Sequence, residues 1–64
     1  MERLLRLEEV ADLLGVKRST LYAWLHRGEG PPVVKLPSGS IRFRRQSVEA
    51  WVQKAERARS HIRS

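Results

Sequence analysis

The 64-residue chain has no cysteine, which excludes a disulfide framework and any thiolate metal site. Its two histidines, His26 and His61, are too far apart in sequence to form a helical ligand pair, so neither a metal nor a cofactor is expected. No nucleophile and base, and no pair of carboxylates, stand out, and so short a chain leaves little volume for a catalytic cleft. We therefore expect a binding module and not an enzyme.

Long apolar runs are also missing from the sequence. The stretch MERLLRLEEV interrupts its leucines with charges, which argues against a signal peptide and against a transmembrane span. The sequence thus predicts a soluble cytoplasmic protein.

Acidic residues are scarce and unevenly distributed. Seven of them stand against 13 Lys and Arg, which gives a net charge of +6. Residues 1–16 hold two basic and four acidic residues, a net charge of −2, whereas residues 17–64 hold 11 basic and three acidic residues, a net charge of +8. Such a polycation suggests a phosphate-rich partner, most often nucleic acid. An anionic membrane surface, or charge that serves solubility alone, are the alternatives.

The spacing of apolar residues predicts two short helices early in the chain. In the segment LEEVADLL, the four apolar residues at 7, 10, 11 and 14 share one helical face, and Gly15 can adopt the left-handed conformation that ends a helix. A second helix is predicted from about Arg18 to His26. Because only a three-residue turn separates the two, the pattern indicates a helix-turn-helix.

A β-hairpin is predicted to follow. The segment RGEGPP ends the second helix, after which VVKL (33–36) and IRFR (41–44) alternate in side-chain type around the turn-forming PSGS (37–40). Alternation predicts one apolar face and one cationic face. The apolar face is expected to hold Val34, Leu36, Ile41 and Phe43, and the cationic face Lys35, Arg42 and Arg44.

A third helix is predicted from about Arg45, where apolar residues recur with helical spacing at 48, 51, 52 and 55. Beyond Ala55 the apolar stripe gives way to a basic segment that is expected to be helical for one or two turns. We therefore divide the chain into a domain over residues 1–56 and a basic tail over residues 57–64. The predicted fold is mainly α with a small β-hairpin, a winged helix-turn-helix.

Five large apolar residues are predicted to build the core, because a domain this small needs aromatic volume inside. They are Leu21, Trp24, Leu25, Phe43 and Trp51. Replacing Trp51 with alanine is therefore expected to unfold the domain.

Several short motifs occur in a characteristic order: EEVADLLGV, the ST-L-Y of the second helix, RG-GPP-VKL before the hairpin, IRFRR after it, and VEAWV in the last helix. Together they cover most of residues 5–53. In this order they resemble the excisionase and AlpA-type DNA-binding proteins of phages and mobile elements, which have a MerR-like winged fold. The resemblance implies that the second helix enters the major groove of double-stranded DNA, while the hairpin, the wing, lies on the backbone or in the minor groove.

The same resemblance implies a set of DNA-facing residues. These are Lys17, Arg18, Ser19 and Tyr22 around the second helix, and Lys35, Arg42, Arg44 and Arg45 on the wing. The family usually has Ser or Thr in place of Lys17 and a capping residue near Arg44, so both helices are expected to begin without side-chain caps, at about 1 kcal/mol each. A DNA phosphate could bind the free backbone N–H groups and these cations together.

The function hypothesis is a sequence-specific DNA-binding protein of the bacterial nucleoid, either an excisionase-like architectural factor or a small transcriptional regulator of a mobile element. We expect a monomer in solution that assembles cooperatively, head to tail, on DNA, and an integrase or recombinase is a candidate partner. The alternative is an adaptor whose wing and tail dock an acidic protein such as a recombinase. RNA binding and membrane-surface binding fit the pattern less well.

Overall fold

A computed structural model of the chain describes the backbone of residues 3–63 and the side chains of residues 3–56. The order of its elements confirms the predicted fold, three helices with a two-stranded antiparallel hairpin before the last helix. The elements are α1 (Leu7–Leu14), α2 (Arg18–His26), β1 (Val34–Lys35), β2 (Ile41–Arg42) and α3 (Arg45–Arg63).

Helix α1 ends as the sequence predicts. Gly15 has a φ of 70°, and its N–H donates to the Asp12 carbonyl at 3.1 Å. The Val16 N–H donates to the Ala11 carbonyl at 3.0 Å, and the two bonds together form a Schellman motif. Because the Val16 side chain also packs against the core, this turn fixes the direction in which the chain enters α2.

Helix α2 begins without a side-chain cap, which confirms the expectation for Lys17. This residue is extended, its side chain makes no capping hydrogen bond, and its carbonyl accepts the Leu21 N–H at 3.1 Å. The Leu21 side chain is completely buried, and Trp24 and Leu25 pack against the core. The inward side of α2 is therefore the predicted one.

The hairpin loop is one residue shorter than predicted. The Leu36 N–H donates to the Ser40 carbonyl at 2.8 Å, so Ser40 belongs to the paired part of the hairpin. The loop is the three residues 37–39, and Gly39 adopts a φ of 95° in it. Three-residue hairpin loops need a residue with positive φ, and glycine adopts it without steric cost.

The register that follows overturns part of the predicted face assignment. Val34 pairs with Arg42 and Lys35 pairs with Ile41, and residues paired across an antiparallel ladder lie on the same side of it. The prediction that Val34 and Ile41 share one face of the hairpin is therefore wrong. Ile41 and the buried Phe43 face the core on the same side as Lys35, which is itself exposed, while Val34 lies on the outer side with Arg42. Because side chains alternate between the two sides of a strand, a loop shorter by one residue turns the opposite side of β1 towards the core.

The segment before α1 adds a partner to the hairpin that the sequence pattern did not reveal. Leu5 and Phe43 exchange two backbone hydrogen bonds of 2.8 Å and form an antiparallel bridge. Both side chains are almost completely buried. The only sequence signal is the two-residue interval between Leu5 and Leu7, which suits an extended chain with one side inward.

Helix α3 buries less of its surface than predicted. Of the expected inward face, Val48 is buried, whereas Val52 and Ala55 are exposed. The backbone stays helical for about two turns beyond Ala55, within the predicted range. The side chains of the predicted basic tail, 57–64, lie outside the described residues.

Among residues 3–56, the buried core consists of seven apolar residues. They are Leu5, Leu7, Val10, Ala11, Leu21, Phe43 and Val48. This confirms Leu21 and Phe43, with Trp24 and Leu25 packed against the cluster. The prediction that Trp51 is a core residue is wrong. Its half-buried ring pairs with that of Trp24, at a centroid distance of 6.0 Å, but it does not belong to the cluster.

Candidate nucleic-acid interface

The outward side of α2 forms a continuous exposed stripe. Residues one, four, five and eight positions after Arg18 share its side of the helix, opposite the buried Leu21. Tyr22 is 58% exposed, so its ring is not buried beneath the hairpin. This surface, the α2 stripe, consists of Arg18, Ser19, Tyr22, Ala23 and His26.

The start of α2 is cationic and holds no acidic side chain in its first turn. Lys17 and Arg18 are both exposed, and neither forms an ion pair with an acidic side chain of residues 3–56. Because no side chain caps the helix, its first backbone N–H groups remain available to an outside acceptor. This helix end therefore presents positive charge and hydrogen-bond donors together, an arrangement that stabilises a phosphate.

Three more of the predicted contact residues lie on or just after the hairpin. Arg42 is partly buried, and its Nη1 donates to the Ile41 carbonyl at 2.9 Å, which holds the guanidinium close to the hairpin. It lies on the outer side as predicted, whereas Lys35 lies on the opposite side. Arg44 is exposed, and its carbonyl accepts the Val48 N–H at 3.0 Å where α3 begins.

Arg45 lies on a different part of the surface. It begins α3 and, with Leu5 and Leu13 among others, lines two adjoining grooves. Its neighbours in these grooves, among residues 3–56, come from α1, from α3 or from the segment before α1, and none comes from α2 or the hairpin. Lys17 and Arg18 thus lie next to each other at the start of α2, whereas Arg45 lies beside α1.

The acidic residues of α1 are partly neutralised within the chain. The Arg3 guanidinium donates to both oxygens of Glu9, at 2.9 and 3.3 Å, and the Arg6 backbone N–H donates to the same carboxylate at 2.9 Å. These bonds, chiefly the one from Arg3, lower the pKa of the Glu9 carboxyl. Glu8 and Asp12 are exposed and form no ion pair within residues 3–56. Two exposed carboxylates of α1 are therefore left without an ion pair among the described residues.

Ala23 and His26 are the two members of the α2 stripe that the sequence analysis did not assign to DNA, and Ala23 is the one it missed altogether. Its intervals of four from Ser19 and five from Arg18 place it on the exposed side, but an alanine carries no chemical signal in a sequence. In a structure its small side chain lets other groups approach the helix closely. An alanine at such a position can contact the methyl group of thymine.

Comparison with known proteins identifies the class to which this fold belongs. Residues 4–56 match a family described as helix-turn-helix domain, and because they make up most of the chain, the protein belongs to that family. The chain is also 41% identical over 51 residues, 80% of its length, to "Uncharacterized protein ORF88" of Enterobacteria phage P4. It spans 58% of the length of that phage protein. No solved structure is significantly similar to the chain.

Helix-turn-helix domains typically bind DNA and are typically non-enzymatic. Within residues 3–63, every helix is too short or too polar to cross a bilayer.

Proposed function

We propose that the protein binds double-stranded DNA in a sequence-specific manner, with α2 in the major groove and the hairpin on the backbone or in the minor groove. The observation that carries this proposal is the α2 stripe, which is exposed, lacks acidic residues and starts at an uncapped, cationic helix end. A phosphate bound at that end would fix the helix in the groove, so that the residues further along the stripe reach base edges.

Base reading is assigned to the α2 stripe. Arg18 can form a bidentate hydrogen bond with guanine, Ser19 can bond with several base edges, and Ala23 can contact a thymine methyl. Tyr22 presents its hydroxyl at the end of an exposed ring and can donate to a phosphate or a base. Lys17 precedes the helix and is assigned to a phosphate, which positions the domain without reading sequence.

The hairpin cations are assigned to phosphates. Arg42 is already held by its bond to the Ile41 carbonyl, so it loses less side-chain freedom on binding than an unrestrained arginine would. Lys35, on the opposite side of the hairpin, and Arg44, two residues after Arg42, are both exposed and are assigned to phosphates as well. Arg45, the first residue of α3, is the last member of the set, although its groove neighbours belong to α1, α3 and the segment before α1.

The cellular role that fits this activity is that of an excisionase-like architectural factor or a small transcriptional regulator of a mobile element at the bacterial nucleoid. The order of the sequence motifs and the phage origin of a relative support it. An integrase or recombinase would then be a second partner. The exposed carboxylates of Glu8 and Asp12 could contact the basic hairpin of a neighbouring copy, which supports head-to-tail assembly of monomers on DNA.

The salt dependence of DNA binding tests this proposal against the adaptor alternative. Release of counterions makes the logarithm of the association constant fall linearly with the logarithm of salt concentration. Lys17→Ala should reduce that slope by about one unit, because one phosphate contact is lost. Lys54→Ala is the matched control, since it removes an exposed cation of α3 outside the proposed surface. Equal slopes for the two variants, or affinity for an acidic protein without affinity for DNA, would favour the adaptor.

A further inference from the structure

An apolar groove lies between α1 and α3, on a surface distinct from the α2 stripe. It has a volume of about 530 Å³. Its apolar lining consists of Leu5, Leu13, Leu14, Val48 and Val52. Leu13 is 60% exposed and Val52 is 38% exposed, although they belong to different helices. Single exposed apolar residues are common, but these two come from different helices and line one groove, where an apolar side chain of a partner can be buried against both.

The rim of this groove is acidic, although the protein as a whole is strongly basic. Asp12 and Glu49 line the groove or its direct extension, are exposed, and form no ion pair within residues 3–56. Glu9 also lines the extension, but Arg3 holds its carboxylate. Arg45 is the one cation among the described residues that line the groove. The groove and its extension therefore hold two unpaired carboxylates and one guanidinium.

We propose that this α1–α3 groove docks a basic amphipathic helix of a partner protein. The α3 wall, lined by residues 45, 48, 49, 52 and 53, follows helical spacing over about 12 Å, a little more than two turns. A groove between two helices receives an apolar helix face whose anchors recur at three- and four-residue intervals. Lysine or arginine beside those anchors complements Asp12 and Glu49, whereas an acidic helix is attracted to the basic surfaces instead.

The groove leaves the proposed DNA surface accessible. Of the proposed DNA contacts only Arg45 lines it, so a partner helix and DNA share this one side chain and can otherwise bind at the same time. Docking of a partner helix and DNA binding can therefore be measured independently. If the groove binds no helix, DNA binding can still be measured, and the reverse also holds.

A synthetic peptide provides the test. The probe is a labelled peptide of about 15 residues, long enough to form a helix when bound, with leucines at i, i+3, i+4 and i+7 and lysines at most other positions. One control peptide has the same composition in scrambled order, and another has glutamate in place of lysine. Each is titrated with the full chain, free and saturated with duplex DNA, and followed by fluorescence anisotropy. The lysine peptide should bind the free chain, and it should bind the chain–DNA complex more tightly than the duplex alone, because a lysine-rich peptide also binds duplex DNA directly. The scrambled peptide should not bind the free chain and should bind the complex no more tightly than the duplex alone. DNA should displace the glutamate peptide.

Two variants locate the binding surface. Leu13→Gln should weaken the lysine peptide about tenfold through loss of apolar contact. The melting temperature and the DNA affinity of the Leu13→Gln protein should stay unchanged, because the Leu13 side chain is already exposed. Val33→Gln is the matched control, an exposed apolar residue that lines a different groove, and should leave peptide affinity unchanged.

Three results would overturn the proposal. The lysine peptide could bind no better than its scrambled form, or Leu13→Gln and Val33→Gln could have the same effect. Alternatively, Leu13→Gln could abolish self-association of a protein that does not bind the peptide, which would make a second copy of the chain the occupant.

Discussion

Replacing Phe43 with alanine should remove a large part of the stability of the fold. The ring is completely buried in the core, and the backbone of this residue exchanges two hydrogen bonds with Leu5. Removing a buried phenylalanine side chain costs about 3 to 5 kcal/mol, because apolar contacts are lost and a cavity remains. The entire free energy of unfolding expected for 64 residues is only about 3 to 10 kcal/mol. The substitution therefore removes a third or more of the stability and, towards the lower end of that range, all of it.

Replacing Trp51 with alanine should cost less, about 1 to 2 kcal/mol, although the sequence alone suggested that it would unfold the domain. Its ring is half-buried, lies outside the core cluster, and contributes mainly through its pairing with Trp24. Tyr22→Ala is the control, since that ring is largely exposed and its loss should change stability by no more than about 0.5 kcal/mol.

Urea and thermal unfolding, followed by far-ultraviolet circular dichroism, measure all three variants. The expected order of stability is Tyr22→Ala above Trp51→Ala above Phe43→Ala. A Phe43→Ala variant that melts at the same temperature and urea concentration as the unmodified protein would refute the core assignment. So would a Trp51→Ala variant that loses as much stability as Phe43→Ala.

Stability at low pH and assembly on DNA provide two further predictions. Because its pKa is lowered in the folded state, Glu9 stabilises the fold above the ordinary pKa of glutamate, and this contribution is lost as the pH falls through the lowered pKa. Arg3→Ala should therefore melt below the unmodified protein at neutral pH and converge with it in acid, and a difference that persists in acid would contradict this cause. Without DNA, sedimentation should show one species near 7.4 kDa, and footprints on directly repeated sites should lengthen in steps as protein is added. A concentration-independent dimer that protects an inverted repeat would contradict the head-to-tail arrangement.

The first two helices could be predicted almost to the residue because their determinants are local. Apolar spacing identifies the inward faces of α1 and α2, and Gly15 supplies the left-handed conformation that ends α1. The missing cap at Lys17 could also be predicted, since lysine has no acceptor for a backbone N–H.

The hairpin register was predicted wrongly, because the sequence does not determine the length of the loop. The segment PSGS fits a loop of three or of four residues, and the two loops place opposite sides of β1 on the core. The bridge between Leu5 and Phe43 depends on a contact between segments distant in sequence, which no local pattern encodes. Trp51 has the spacing of an inward residue, but its depth depends on how far α3 extends beyond the core.

The candidate site could be predicted in part. The family resemblance supplied Arg18, Ser19 and Tyr22, and helical spacing agrees with it because it places all three away from the apolar face of α2, where they are exposed. The location of Arg45 could not be predicted, since it depends on the packing of α3 beside α1. Ala23 was missed because its contribution is space for close approach, which only the arrangement of its neighbours shows.

The central claim, that α2 reads bases while the hairpin holds the backbone, is tested most directly by the affinities of Arg18→Ala and Arg42→Ala for one selected duplex and one random duplex. Arg18→Ala should cost about 1 to 3 kcal/mol on the selected duplex and relax base preference there, with a much smaller loss on the random one. Arg42→Ala should weaken both complexes about equally and reduce the salt slope by about one unit. If each variant loses the same affinity on both duplexes, the assignment of base reading to α2 is wrong.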